Sequence, residues 1–260
     1  MLTRILTALI GLIVFFAVIF AHRFVIYTAI GIITVGMLWE MYEMLDTKKA
    51  LRIFGLIAGA AFFGITLGGN LAMAFYASLS ILLVAMVILH GKVDSREVLS
   101  TAAVTLFIAS SMVLLTLIRH GFGRALVIFP FVVAWLTDTG AYFAGKMLGK
   151  HKLAPQLSPK KTVEGAVGGV ILAMIGGIIY VWVLKGFVID AKSALLFAVI
   201  GIVGSVISQV GDLIASAIKR DCGKKDYGAI LPGHGGVLDR FDSVLFVTPF
   251  IYFVLTYFGI

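Results

Sequence analysis

Nine apolar runs follow one another along the chain: Ile5–Ala21, Phe24–Trp39, Ile53–Leu67, Leu71–Leu89, Val98–Ile118, Ala125–Ala144, Val163–Leu184, Ala194–Ile218 and Val244–Phe258. A helix needs roughly 20 residues to cross bilayer hydrocarbon. In lipid the backbone must satisfy its own hydrogen bonds, so apolar segments of this length cross as helices. With 13% charged residues and a mean hydropathy of +1.09, the composition excludes an ordinary water-soluble domain. The expected fold is all-α, a polytopic membrane bundle of about nine transmembrane helices. The short third run, and Glu40 and Glu43 at the end of the second, leave eight or ten open.

In a nine-helix arrangement, all but five of the 21 Lys and Arg residues fall on one side of the membrane, the exceptions being Arg23, Arg119, Arg124, Lys185 and Lys192. The positive-inside rule then places the N-terminus in the cytoplasm and the C-terminus outside. The first run ends in Ile19-Phe20-Ala21 without the small residues of a cleavage site, and reads as a retained helix. No repeat or low-complexity linker divides the chain. The expectation is one integral domain over residues 1–260. Residues 1–120 supply helices of scaffold or dimer type. Residues 121–260 supply the catalytic helices and two cytoplasmic loops, 146–162 and 219–238. The lone cysteine, Cys222, excludes an intramolecular disulfide and a CxxC zinc site. A net charge of +8 fits anionic partners, which for a membrane protein are lipid headgroups or nucleotides.

Against this background Ser216–Asp242, SAIKRDCGKKDYGAILPGHGGVLDRFD, is conspicuous for its charges and glycines. Ionisable groups near hydrocarbon are costly unless paired, hydrated or bound to a ligand, so a functional site is the default reading. Asp138 lies eight residues before Lys146, roughly 12 Å deeper on a helix, and Asp212 lies seven before Lys219, about 10 Å deeper. Asp239 and Asp242, spaced i, i+3, share a helix face. Ser208, Asp212, Ser216 and Lys219 form a polar stripe on the eighth helix. Clustered carboxylates without Cys or His suit a hard cation such as Mg2+ that bridges protein to phosphate, with lysines and arginines holding phosphate oxygens. Asp239 with Arg240, or Asp212 with Lys219, could also be ion pairs that only lock helices together.

Gly233, Gly235 and Gly236 flank His234, and a turn of this kind lets backbone N–H groups approach an anion ahead of a helix start. A plain glycine turn is the alternative. In SPKKTVEG, Ser158–Gly165, Thr162 is a candidate N-cap for the following helix. Lys160 and Lys161 there are candidate phosphate ligands or simple positive-inside anchors. Gly168, Gly169, Gly176 and Gly177 predict close helix contacts, with partners unspecified.

The elements S-A-I-K-R, K-D-Y-G, A-I-L-P-G-H-G-G and V-L-D-R-F-D, in that order over Ser216–Asp242, resemble the signature of the phosphatidate cytidylyltransferases, or CDP-diacylglycerol synthases. The likeness is looser at Trp135–Lys146 and Ser158–Gly165, and the first hundred or so residues match only as apolar helices. The resemblance implies transfer of the cytidylyl group of CTP to phosphatidic acid at the cytoplasmic face of the plasma membrane, yielding CDP-diacylglycerol and pyrophosphate. It implies Asp212, Asp239 and Asp242 as catalytic metal ligands, Asp138 as a further one, and Lys219 as a catalytic residue. Substrate binding falls to Lys160, Lys161, Ser216, Arg220, Lys225, Asp226, His234, Gly235, Gly236 and Arg240. It also implies Mg2+ or Mn2+, a second, monovalent cation such as K+, and a homodimer.

Three other classes stay open at this stage. An ion-coupled transporter would use the intramembrane carboxylates, but the opposite half of the bundle offers almost no ionisable residues to complete a pathway. A lipid-alcohol kinase would need a base for its hydroxyl. An anionic-lipid scaffold accounts for the lysines but not for the carboxylates beside them.

Overall fold

The computed structural model describes residues 2–188, 190–230 and 235–259, with side chains from residue 9 onward. The helices are α1 (Leu2–Phe20), α2 (Arg23–Met44), α3 (Lys49–Leu67), α4 (Leu71–Ile88), α5 (Ser95–Gly121), α6 (Gly123–Leu126), α7 (Phe129–Leu148), α8 (Val163–Leu184), α9 (Ala191–Asp221) and α10 (Leu238–Phe258). Eight candidate spans among the described residues are long and apolar enough to cross a membrane, with α6 and α7 counted as one, and the first helix adds the shorter apolar stretch Leu9–Phe20. The fold is an all-α, multi-pass membrane bundle. Each apolar run of the sequence follows one helix except Ala125–Ala144, which begins in α6 and continues through α7.

One departure lies between α7 and α8, within the segment 146–162 expected as a loop. There β1 (Lys152–Ala154) pairs antiparallel with β2 (Ser158–Thr162), with Lys152 opposite Thr162 and Ala154 opposite Ser158. The hairpin is tied to the first turn of α8 by Glu164. The Glu164 carboxylate accepts from Lys150 N at 3.0 Å and His151 N at 3.2 Å, and His151 Nδ1 lies 2.7 Å from its Oε1. Thr162 ends β2 and caps α8 as expected, its hydroxyl accepting from Gly165 N at 3.1 Å.

The chain divides into two compact units, 1–120 with 224–240 and 121–223 with 241–260. In the first unit, α3, α4 and α5 bury Ala58, Leu82 and Ala102 together, and Phe62, Ala74, Ala109 and Val113 in a second cluster. Ser78 donates to Ala58 O at 2.8 Å, and Tyr42 OH meets Thr105 Oγ1 at 2.6 Å, which joins α2 to α5.

In the second unit, α8 runs between α7 and α9 at backbone contact. A Cβ on Gly140 of α7 would lie 2.6 Å from Gly168 O, and one on Gly201 of α9 would lie 2.5 Å from Ala173 O. The glycines of α8 thus face α7 through Gly168, Gly169 and Gly176, and α9 through Gly177. Phe129 stacks on Tyr180 with ring centroids 4.8 Å apart and meets the Phe197 ring, tilted by 43°, at 5.0 Å. Asp190 caps α9, accepting from Ser193 N at 2.8 Å and Lys185 Nζ at 2.5 Å. Lys185 and Ser193 together hold its carboxyl well below the usual carboxylate range.

Candidate active site

In the second unit, the close α7–α8–α9 packing sets a group of carboxylates and lysines at the hairpin end of α8. Lys161, on β2, forms an ion pair with Asp212 of α9, and both side chains are about a quarter exposed, at 26% and 28%. The Lys161 ammonium is otherwise buried without a hydrogen-bond partner. Asp138 of α7 lies within electrostatic reach of Asp212 and Lys161, and Asp242 of α10 within reach of Asp212, Asp138 and Lys219. Ser216 stands one turn beyond Asp212 and Lys219 almost another, so the polar stripe on α9 points its acid and its base to the same end. One turn before Asp212, Ser208 is fully buried with its hydroxyl unpartnered, while Ser243, next to Asp242, donates to Ser208 O at 3.4 Å.

A cavity of about 200 Å³ opens beside this group, lined by Asp138, Lys160, Lys161, Thr162 and Gln209 among others. Gln209 stands three residues before Asp212 and donates to Ala166 O of α8 at 3.2 Å. It therefore fixes α9 against α8 at the level of the site. Three acids with one embedded lysine make a place where phosphate oxygens and a cation can meet. A larger cavity of about 510 Å³, lined by Lys185, Asp190 and Lys192 with apolar neighbours, contains none of these acids.

Among the described residues, no three His, Cys, Asp or Glu side chains gather closely enough to hold a metal ion by themselves. The mutual reach of Asp138, Asp212 and Asp242 is electrostatic rather than coordinating. The donor chemistry nevertheless fits Mg2+, which takes one or two protein carboxylates and completes its shell with water and substrate phosphate. Lys161 supplies the positive charge on Asp212 in this structure.

The rest of the signature belongs to the first unit. Asp239 Oδ2 accepts from Tyr227 N at 2.8 Å and from Gly236 N at 3.0 Å. Asp239 therefore closes the loop on itself, a task its motif position did not reveal. Gly235 adopts φ +82°, a left-handed conformation natural to glycine, and Asp226 packs close beside it. Lys225 and Arg240 are exposed on this segment, as Arg220 is at the end of α9. His234 and Gly233 lie outside the described residues.

The sequence reading noted Glu40 only as a charge at the end of the second apolar run and missed its role. It is 1% exposed on α2, and its carboxylate accepts from Val237 N at 2.9 Å and Leu238 N at 2.8 Å. The helix start that the sequence offers to an incoming anion already receives one from within the chain. No local signal pairs Glu40 with Val237. The available hint was a carboxylate placed where an apolar run continues into a helix end.

Comparison with known proteins agrees with the signature. Residues 2–258 match the family described as the cytidylyltransferase family. The chain is 33% identical over 268 residues to the phosphatidate cytidylyltransferase of Staphylococcus aureus strain COL, covering 98% of this chain and 99% of that one. It is 49% identical over 134 residues to the Staphylococcus saprophyticus protein of the same name and 48% identical over 138 residues to that of Bacillus subtilis strain 168. These two alignments span about half the length of the relatives they match. With its motif and nearly its whole length accounted for, the chain belongs to the cytidylyltransferase family.

Proposed function

We propose that this protein is a phosphatidate cytidylyltransferase, converting CTP and phosphatidic acid to CDP-diacylglycerol and pyrophosphate. The observation that carries the reading is the Asp138–Lys161–Asp212–Asp242 group beside a cavity lined by Asp138, Lys160 and Lys161, in a membrane bundle whose relatives bear that name. A phosphate oxygen of phosphatidic acid attacks the α-phosphorus of CTP. The new P–O bond forms as the bond from the α-phosphorus to the oxygen bridging to the β-phosphorus breaks, and pyrophosphate leaves with that electron pair. The nucleophile is already an anion, so no side chain has to remove a proton. The barrier is repulsion between anions and their alignment.

The residues of the site answer that barrier. Lys160 and Lys161, which line the cavity, hold phosphate oxygens, and Lys219 balances charge beside Asp242. Arg220, Lys225 and Arg240 attract the triphosphate, with Ser216, Asp226, His234, Gly235 and Gly236 forming the rest of the binding surface. Asp212 and Asp242, with Asp138 and Asp239 as further candidates, would hold Mg2+ or Mn2+. When bound, the ion neutralises phosphate oxygens and helps align the attacking and leaving groups. A monovalent cation such as K+ and a homodimer complete the proposal. The lysine and arginine distribution supports a cytoplasmic N-terminus and a cytoplasmic active site in the plasma membrane.

The test is product formation by the purified full chain in micelles given CTP, phosphatidic acid and Mg2+. Formation of both CDP-lipid and pyrophosphate is expected, abolished by chelator and absent when ATP replaces CTP. Folded protein that makes neither product refutes the assignment. Turnover with ATP and a lipid alcohol would instead mark a kinase.

A further inference from the structure

Glu40 is a buried carboxylate on α2 whose two oxygens each accept one backbone N–H from the start of α10, Val237 and Leu238. Those N–H groups belong to the set that a helix N-terminus leaves without intrahelical partners. A negative charge is stabilised there by the helix dipole and by charge-assisted hydrogen bonds. The loop is shaped to this carboxylate. A Cβ on Gly236 would lie 2.6 Å from Oε2, and a Cβ on Gly228 would lie 2.5 Å from Oε1. Two glycines eight residues apart in the loop therefore admit one side chain from a helix nearly 200 residues earlier. Lys224 adds a second tie to α2, donating to Glu43 O at 3.4 Å.

We infer that Glu40 is a positioning residue for the reaction proposed above, an internal anion that fixes the turn of α10 carrying Asp239 and Arg240. Gly236 joins the two halves of the device. Its N–H is held by Asp239 Oδ2, and its α-carbon lies against Glu40. Loss of the Glu40 carboxylate frees the Val237 and Leu238 N–H groups and lets this turn shift. Misplacement of about 1 Å in a reacting group can reduce turnover ~100-fold. Ordinary packing does not call for a charge at this place, because a buried carboxylate is costly unless something specific receives it.

The inference rests on the proposed activity, so its test carries one readout that does not. In the full-length protein in detergent, Glu40→Ala should lower kcat about 100-fold, with a smaller change in KM for CTP. Glu40→Gln, whose amide offers only one acceptor oxygen, should fall between the alanine variant and the wild type. Sodium formate should restore part of the kcat of Glu40→Ala by entering the vacated carboxylate space, and should leave Asp242→Asn unchanged. Independently of activity, trypsin should cut after Lys224 and Lys225 faster in Glu40→Ala, and formate should slow that cleavage. If Glu40→Ala does not fold, Glu40→Gln carries the test: a lowered kcat and faster cleavage after Lys224 and Lys225 are expected, and wild-type values of both overturn the inference. Unchanged kcat, or a loss of kcat with no response of either readout to formate, overturns the inference. A wild type inactive on CTP and phosphatidic acid, but with formate-reversible cleavage in Glu40→Ala, removes the proposed activity and leaves the Glu40 tie standing.

Discussion

A methyl group added at Gly201 meets backbone, and backbone cannot rotate away. The new Cβ would sit 2.5 Å from Ala173 O and 2.9 Å from Met174 Cα, where ordinary contact begins at 3.4 Å. Helices α8 and α9 must part by roughly 1 Å to admit it, which for overpacking costs typically ~1–3 kcal/mol. Asp212 lies eleven residues further along α9, about 16 Å away at the rise of a helix, and its partner Lys161 sits on the hairpin that leads into α8. Parting the helices therefore disturbs the ion pair, and turnover should fall ~10- to 100-fold. Gly64 of α3 is the control, because nothing lies within 4 Å of a Cβ built there. Gly64→Ala should be neutral or raise stability by up to ~1 kcal/mol through helix propensity. Thermal unfolding in one detergent, read beside CTP turnover, gives both quantities. Equal thermal midpoints for the two alanine variants would refute the claim of backbone contact between α8 and α9.

Asp242→Asn and Asp212→Asn should each lose at least ~100-fold in turnover while remaining monodisperse on size exclusion, if these acids hold a metal ion and phosphate. Lys161→Met leaves acids unbalanced and should destabilise by about 1–2 kcal/mol, less than the ~3–5 for a fully buried pair because both partners are about a quarter exposed. The double variant Lys161→Met/Asp212→Leu should regain thermal stability without regaining turnover. Thr162→Ala removes the cap of α8 and should cost ~1 kcal/mol, and trypsin should then cut more readily after Lys160 and Lys161. The depressed pKa of Asp190 stabilises the fold above the unfolded carboxylate value near pH ~4, and that stability is lost as pH falls through the lower folded value. The thermal-midpoint difference between wild type and Asp190→Asn should be small, since the carboxylate is solvent-exposed, and should vanish on acidification.

The helices were legible because the membrane imposes a simple physical condition. An apolar run of sufficient length has one way to satisfy its backbone in lipid, and the nine runs from Ile5 to Phe258 are helical, with only Ala125–Ala144 divided between α6 and α7. The hairpin at Lys152–Thr162 was not legible, since strands of three and five residues carry no usable periodicity. Its order comes from Glu164, a residue whose three acceptor contacts, with Lys150 and His151, appear only once the chain has turned back on itself. The cap at Thr162 was legible because capping is local, with the oxygen and the N–H it serves three residues apart.

The site divides along the same line between local and distant interactions. Asp212, Ser216 and Lys219 could be placed on one helix face by counting, and Asp138 announced itself by its depth in an apolar run. Two roles required three dimensions. The lysine that balances Asp212 is Lys161, some fifty residues earlier, rather than Lys219, which is within reach of Asp242 instead. The glycine-rich turn was read as a receptor for an outside anion, and the reading had the chemistry right in one respect: N–H groups at the start of α10 do receive a carboxylate. What the sequence could not show is that this carboxylate comes from Glu40, because the preference of a helix N-terminus for negative charge is local while the identity of the anion depends on how α2 packs. If one such anion is internal, binding of phosphate to this loop must rely on side chains such as Arg240 and Lys225, and not on the Val237 and Leu238 N–H groups already engaged.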